Sequence, residues 1–72
     1  MMGEHDAEVL DVSAVSIHGV PYYDVTLRFA DGTTDDSRLG PEAVPDRLAP
    51  GEAVLATKVA NLVISLRRTT DA

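Results

Sequence analysis

The side chains with the most chemistry to offer recur at period-two spacing within one stretch. Tyr22, Asp24, Thr26 and Arg28 alternate with Tyr23, Val25, Leu27 and Phe29, and a pleated strand sends successive side chains to opposite faces. One face of this strand is therefore apolar, and the other carries a phenol, a hydroxyl and a guanidinium in a row. A tyrosine can stack on a nucleobase and an arginine can hold a phosphate. Tyr22, Thr26 and Arg28, joined by Arg38 from the following strand, thus form the candidate ligand-binding face. Asp24 and Asp36 belong to the same patch and oppose a polyanion. The simpler alternative is a solvated sheet surface whose opposite charges pair across strands.

Other reactive residues do not assemble into a site. Asp31, Asp35 and Asp36 could offer oxygens to a hard divalent cation, but their spacing is not that of an EF-hand loop, and successive strand residues point apart. They are expected at a solvated hairpin tip. His18 precedes a glycine in a turn, and His5 lies in the polar N-terminal stretch. The chain has no cysteine, which excludes disulfides and thiolate zinc sites. Ser13, Ser16, Ser37 and Ser65 lack a nucleophile-elbow context. Lys58, Arg67 and Arg68 make a local basic excess, expected to solubilise a strand end. No catalytic residue, metal or cofactor is expected, and the chain reads as a non-enzyme.

Turn signals define the elements that position these side chains. His18-Gly19, Asp31-Gly32 and Pro50-Gly51 separate alternating apolar and polar runs at Val9–Ile17, Tyr23–Ala30, Val54–Val59 and Leu62–Leu66, with a polar strand at about 33–39. Pro41 and Pro45 limit the stretch to Leu48 to about one helical turn. In the first strand, Leu10 and Val12 lie on one parity and Val15 and Ile17 on the other, so a β-bulge is expected near Ser13-Ala14. Strand five is expected to turn Leu62, Ile64 and Leu66 inward, and the buried set to include Val25, Leu27, Phe29, Ile64 and Leu66. Asn61 is expected to take the left-handed conformation in the Ala60-Asn61 turn. These elements predict an all-β domain, a small five-stranded OB-like barrel with a short helical turn between strands three and four. An SH3-like barrel is the alternative. The single domain is expected over 7–68, with disordered tails at 1–6 and 69–72.

Charge and composition limit the partners. Acidic residues outnumber basic ones 12 to 6, for a net charge of −6, which repels phosphate backbones and anionic membranes at long range. No apolar run approaches the roughly 18 residues of a membrane span, and the N-terminus lacks the basic and apolar regions of a signal peptide, so a cytoplasmic protein is expected. Arginine outnumbers lysine five to one, and with the Ala, Val and Asp bias this suggests a bacterial genome of high GC content.

The stretch Val15-Ser16-Ile17-His18-Gly19-Val20-Pro21, the strand Tyr23-Asp24-Val25-Thr26-Leu27 and Leu48-Ala49-Pro50-Gly51 resemble small OB-like domains of actinobacterial proteins, a group whose resemblance implies a fold and no activity. In length and element order the chain is also similar to bacterial translation initiation factor one, through Ala7-Glu8-Val9-Leu10, Asp31-Gly32 and Pro50-Gly51-Glu52-Ala53-Val54. That resemblance implies RNA binding. The present chain differs in sign of charge, with Asp35 and Asp36 where an RNA-facing strand needs cations. The expected function is a small interaction module for a protein partner or a second copy of itself, with weak single-stranded nucleic-acid binding as the alternative.

Overall fold

The computed structural model of the chain describes residues 2–69, with the backbone alone at Met2. The five strands are β1 (Met2–Ile17), β2 (Val20–Phe29), β3 (Thr34–Leu39), β4 (Ala53–Val59) and β5 (Leu62–Arg68). A single 3₁₀ turn, Pro41–Ala43, lies between β3 and β4, where the two prolines placed it. All neighbouring strands are antiparallel, and their order across the sheet is β3-β2-β1-β4-β5. No helical turn separates β4 from β5, as an SH3-like barrel would require.

β1 is central because it is long enough to serve two partners. Its first half pairs with β4, from Met2 opposite Val59 to Glu8 opposite Ala53. Its pairing with β2 runs from Ala7 opposite Phe29 to Ile17 opposite Val20. The sheet curls until the edge strands β3 and β5 approach within 8 Å between Cα atoms. Val9, Val25, Leu27 and Val54 are fully enclosed on the concave face. Ala43, Val44 and Leu48 of the β3–β4 connection pack against this core from one end.

The turns follow from local chemistry. His18 and Gly19 both have positive φ, 52° and 78°, as a two-residue type I′ hairpin turn requires. Pro50 and Gly51 form a turn with Gly51 at φ 92°, closed by the Glu52 N–H donating to the Ala49 carbonyl at 3.3 Å. Pro at the second position and a left-handed residue at the third define type II.

Several strand details differ from expectation, and bulges explain most of them. The register of β1 against β2 shifts between Val9 and Asp11, not at Ser13-Ala14. The extra residue is Leu10, so Ala7, Val9 and Val12 line the core side. Val15 and Ile17 pair with Tyr22 and Val20 on the opposite face and do not join the core. A second shift lies between Thr57 and Lys58, which face Ser65 and Val63. Ile64 is therefore the unpaired residue of β5. The parity reverses there, and Val63 and Leu66 are buried while Leu62 and Ile64 are exposed. Phe29 is half-buried against the core. In the β4–β5 turn it is Ala60, at φ 56°, that takes positive φ. Gly3–Asp6, expected in a frayed tail, are paired to β4; Met1 and residues 70–72 of the expected tails lie outside the described residues.

Two sets of variants check these assignments by chemical denaturation. Leu66→Ala should cost about 2–5 kcal/mol, while Ile64→Ala should stay within about 0.5 kcal/mol of wild type; the reverse order would restore strict alternation in β5. Ala60→Gly should stabilise the chain by up to about 1.5 kcal/mol. A left-handed alanine costs about 1–2 kcal/mol, and the extra unfolded-state freedom of glycine offsets about 0.5–1 kcal/mol of the gain.

Candidate functional site

The strand register brings Tyr22, Thr26, Arg28 and Arg38 onto one face, the convex surface of β1–β2–β3. Tyr22 lies opposite Val15, and Asp24 lies between Ser13 and Arg38. Thr26 lies between Asp11 and Asp36, and Arg28 between Glu8 and Thr34. Cross-strand neighbours share a face and interact directly. Arg38 donates from Nε to Asp24 Oδ1 at 2.7 Å and from Nη2 to Oδ2 at 3.0 Å, a bidentate fork that fits a carboxylate geometrically. Arg28 donates to Glu8, and the Thr26 hydroxyl donates to Asp36 at 2.7 Å. The hydrogen bonds from Arg38 hold the Asp24 carboxyl below its ordinary range, and Asp24 raises Arg38 in turn.

This face therefore satisfies itself. Both arginines that could receive a phosphate already hold a carboxylate, and an incoming anion has to displace one. Glu8, Asp11, Asp24 and Asp36 stand against Arg28 and Arg38, four negative charges against two positive. All these side chains are substantially solvent-exposed, so the pairs are screened and contribute little to stability.

The three aspartates of the first hairpin do not converge. Asp35 lies opposite the buried Leu27 and Asp36 opposite Thr26, on opposite faces of β3. Asp31 builds its own turn: its Oδ1 accepts from the Thr33 N–H at 3.0 Å and from the Thr33 hydroxyl at 2.6 Å. These bonds lower the Asp31 carboxyl from its ordinary value, the hydroxyl bond most. Among the described residues no group of three His, Cys, Asp or Glu side chains could hold a metal ion. His18 is exposed in its hairpin turn.

The basic excess at the end of β5 is also paired. Arg67 forks onto Glu4 at 2.7 and 3.0 Å. Arg68 donates from Nε to Glu52 Oε1 at 2.7 Å and from Nη2 to the Asp46 carbonyl at 2.7 Å. Glu52 Oε2 accepts from the Ala49 N–H at 2.7 Å, so one carboxylate ties β5 to the loop before β4. Lys58 places its ammonium 4.8 Å from the Phe29 ring centroid, within cation–π range.

Two features were missed in the sequence. His5 stands edge-on to Phe29, with centroids 6.4 Å apart and planes at 86°. Its signal was the period-two series His5, Ala7, Val9, masked by the polar character of residues 1–6. The second is an exposed apolar tip. Leu62 is 70% exposed, and Val59, its cross-strand neighbour, and Ile64 are also exposed. The bulge at Ile64 turns Leu62 outward beside Val59, which lies on the outer parity of β4, and the alternation of β5 carries no mark of it.

No family model, curated protein or solved structure matches this chain. Among the described residues no helix is long and apolar enough to cross a membrane.

The paired carboxylates set an acid dependence. Arg68 lowers the Glu52 carboxyl through its hydrogen bond, and the Ala49 N–H adds to the effect. A carboxyl with a lower pKa folded than unfolded stabilises the fold above its unfolded value, and that contribution disappears as pH falls through the folded one. Wild type should therefore melt above Glu52→Gln near neutral pH. The two curves should converge below about pH 4. A gap that widens on acidification would reverse the assignment.

Proposed function

We propose that this chain is a small non-enzymatic β-domain of OB-like layout that acts as an interaction module for a protein partner or a second copy of itself. The observation that carries this reading is the convex face of β1–β2–β3, where Arg28 and Arg38 are engaged by Glu8 and Asp24 and acids outnumber bases. A surface of this kind does not attract a polyanion, whose binding depends on releasing counterions against free cations. The apolar tip at Val59, Leu62 and Ile64 supports association with protein, since contiguous exposed apolar groups favour such contacts. The OB-like layout rests on the strand order β3-β2-β1-β4-β5, with β3 and β5 converging and the 3₁₀ turn between β3 and β4. A cytoplasmic location accords with the charge and composition of the chain.

The competing reading is a single-stranded nucleic-acid binder. It is favoured by the common placement of Tyr22, Thr26, Arg28 and Arg38 on the β2–β3 surface, the usual ligand side of OB domains. Stacking on Tyr22 offers about 1–3 kcal/mol per base, but both phosphate contacts require breaking ion pairs. An NMR titration with an unstructured oligonucleotide at moderate salt separates the two. The interaction-module reading expects no saturable shifts. Saturable micromolar shifts centred on Tyr22, Arg28 and Arg38, weakened by added salt, establish the nucleic-acid reading instead.

A further inference from the structure

A β-strand edge with unpaired backbone groups is a template for another strand, and soluble proteins block such edges with charge, proline or bulges. Among the described residues, four of the five free edges in this sheet are blocked. The start of β1, paired with β4 but not with β2, carries Glu4, His5 and Asp6. β3 carries Asp35, Asp36 and Arg38. The end of β2 that outruns β3 carries Pro21, because β3 pairs with β2 only from Tyr23 to Arg28. β5 is broken by its bulge at Ile64 and ends in Arg67-Arg68.

The remaining edge has no such device. The β4 pairing with β1 stops at Glu8, and the neighbouring loop adds only the bonds between Val9 and residues Gly51 and Glu52. Beyond the bulge, β1 is bonded to β2 alone. The overhanging stretch is Val12-Ser13-Ala14-Val15-Ser16-Ile17. It contains no charge, proline or glycine, and half of it is β-branched, the residue class best suited to a strand. The type I′ turn closes on Ile17 and Val20, so Ile17, Val15 and Ser13 bond to β2, and Val12, Ala14 and Ser16 direct their N–H and C=O groups to the open side. Ser13, Ala14 and Ser16 are exposed.

We propose that this edge pairs antiparallel with the same edge of a second copy, about a two-fold axis at Ala14. The inference rests on the interaction-module reading and names its surface and its partner. A two-fold perpendicular to the sheet pairs residues of equal parity, so Ala14 meets Ala14, Val12 meets Ser16, and Ser13 meets Val15. The smallest side chain of the stretch faces itself on the axis, and no like charges are opposed. At each end Asp11 falls beside the second copy's Ile17, one residue from its His18, so an acid on one copy is set near a base on the other. A closed, isologous contact follows, and the two sheets join into one of ten strands. Edge addition of this kind draws its affinity from main-chain hydrogen bonds.

Sedimentation equilibrium across a wide concentration range tests this on the whole chain, with wild type, Ala14→Pro, Ala14→Lys and Leu62→Ser compared. The Ala14 N–H points away from β2, so proline is tolerated in the monomer, and circular dichroism verifies its fold. Lysine keeps the N–H and sets like charges opposite each other on the axis. The expected result is a concentration-dependent dimer for wild type and for Leu62→Ser, lost in both Ala14 variants. The amides of Val12, Ala14 and Ser16 should gain exchange protection as wild type dimerises. A wild type that stays monomeric throughout overturns the proposal. So does a dimer that survives both Ala14 changes, and loss in Leu62→Ser alone moves the contact to the β4–β5 tip. None of these outcomes decides the interaction-module reading, which falls by the oligonucleotide titration.

Discussion

Val9 joins the two halves of the sheet through its backbone. Its N–H donates to the Glu52 carbonyl at 2.9 Å, and its carbonyl accepts from the Gly51 N–H at 2.7 Å. Its side chain is wholly buried. One residue later Leu10 is left out of the ladder, and such a bulge bends its strand and increases its twist. The bend lets one strand leave β4 and continue along β2, and it turns a flat ladder into a curled one with a concave core. The Pro50-Gly51 turn fits against the strand at this point, and Glu52 reaches from the same turn to Arg68 at the far end of β5. Strand bend, tight turn and ion pair thus fix one another's positions.

Much of this was legible in the residues. The alternation from Tyr22 to Phe29 gave β2 its two faces, because nothing interrupts its pleat. The turns at His18-Gly19, Asp31-Gly32 and Pro50-Gly51 were legible because their chemistry is local. Bulges were harder. The parity conflict in β1 pointed to a bulge, but the bulge at Leu10 leaves Val12 and Val15 on opposite faces, and only the pairing with β2 locates it. In β5 Leu62, Ile64 and Leu66 alternate without conflict, so the reversal at Ile64 left no trace. It arises from the partner strand, where Thr57 and Lys58 span three residues of β5. The candidate face was legible in composition and not in pairing. Tyr22, Thr26, Arg28 and Arg38 were placed together, but that Glu8 lies opposite Arg28 depends on a register that the bulge at Leu10 shifts by one.

The electrostatics follow a similar logic. The chain sets four of its six cations against carboxylates, two of them on adjacent strands, and the described cation without such a contact, a hydrogen bond or an aromatic face is Arg47 in the β3–β4 connection. The remaining carboxylates are dispersed over the surface and confer the net charge of −6. That charge keeps copies apart at long range, while the uncharged edge of β1 offers attraction only at contact. Specific pairing and general solubility can therefore coexist in one small sheet.

The division of β1 between two partners also orders the assembly of the fold in time. Its hairpin with β2 joins residues on either side of a two-residue turn, and β2 meets β3 across another short loop. By contrast, Gly3 meets Lys58, and the loop between them takes in the rest of β1, β2, β3 and most of β4. Closing so large a loop carries an entropic cost that the hairpins avoid, and topologies rich in distant contacts fold slowly for this reason. The N-terminal half of β1 therefore gains its partner only when β4 is in place.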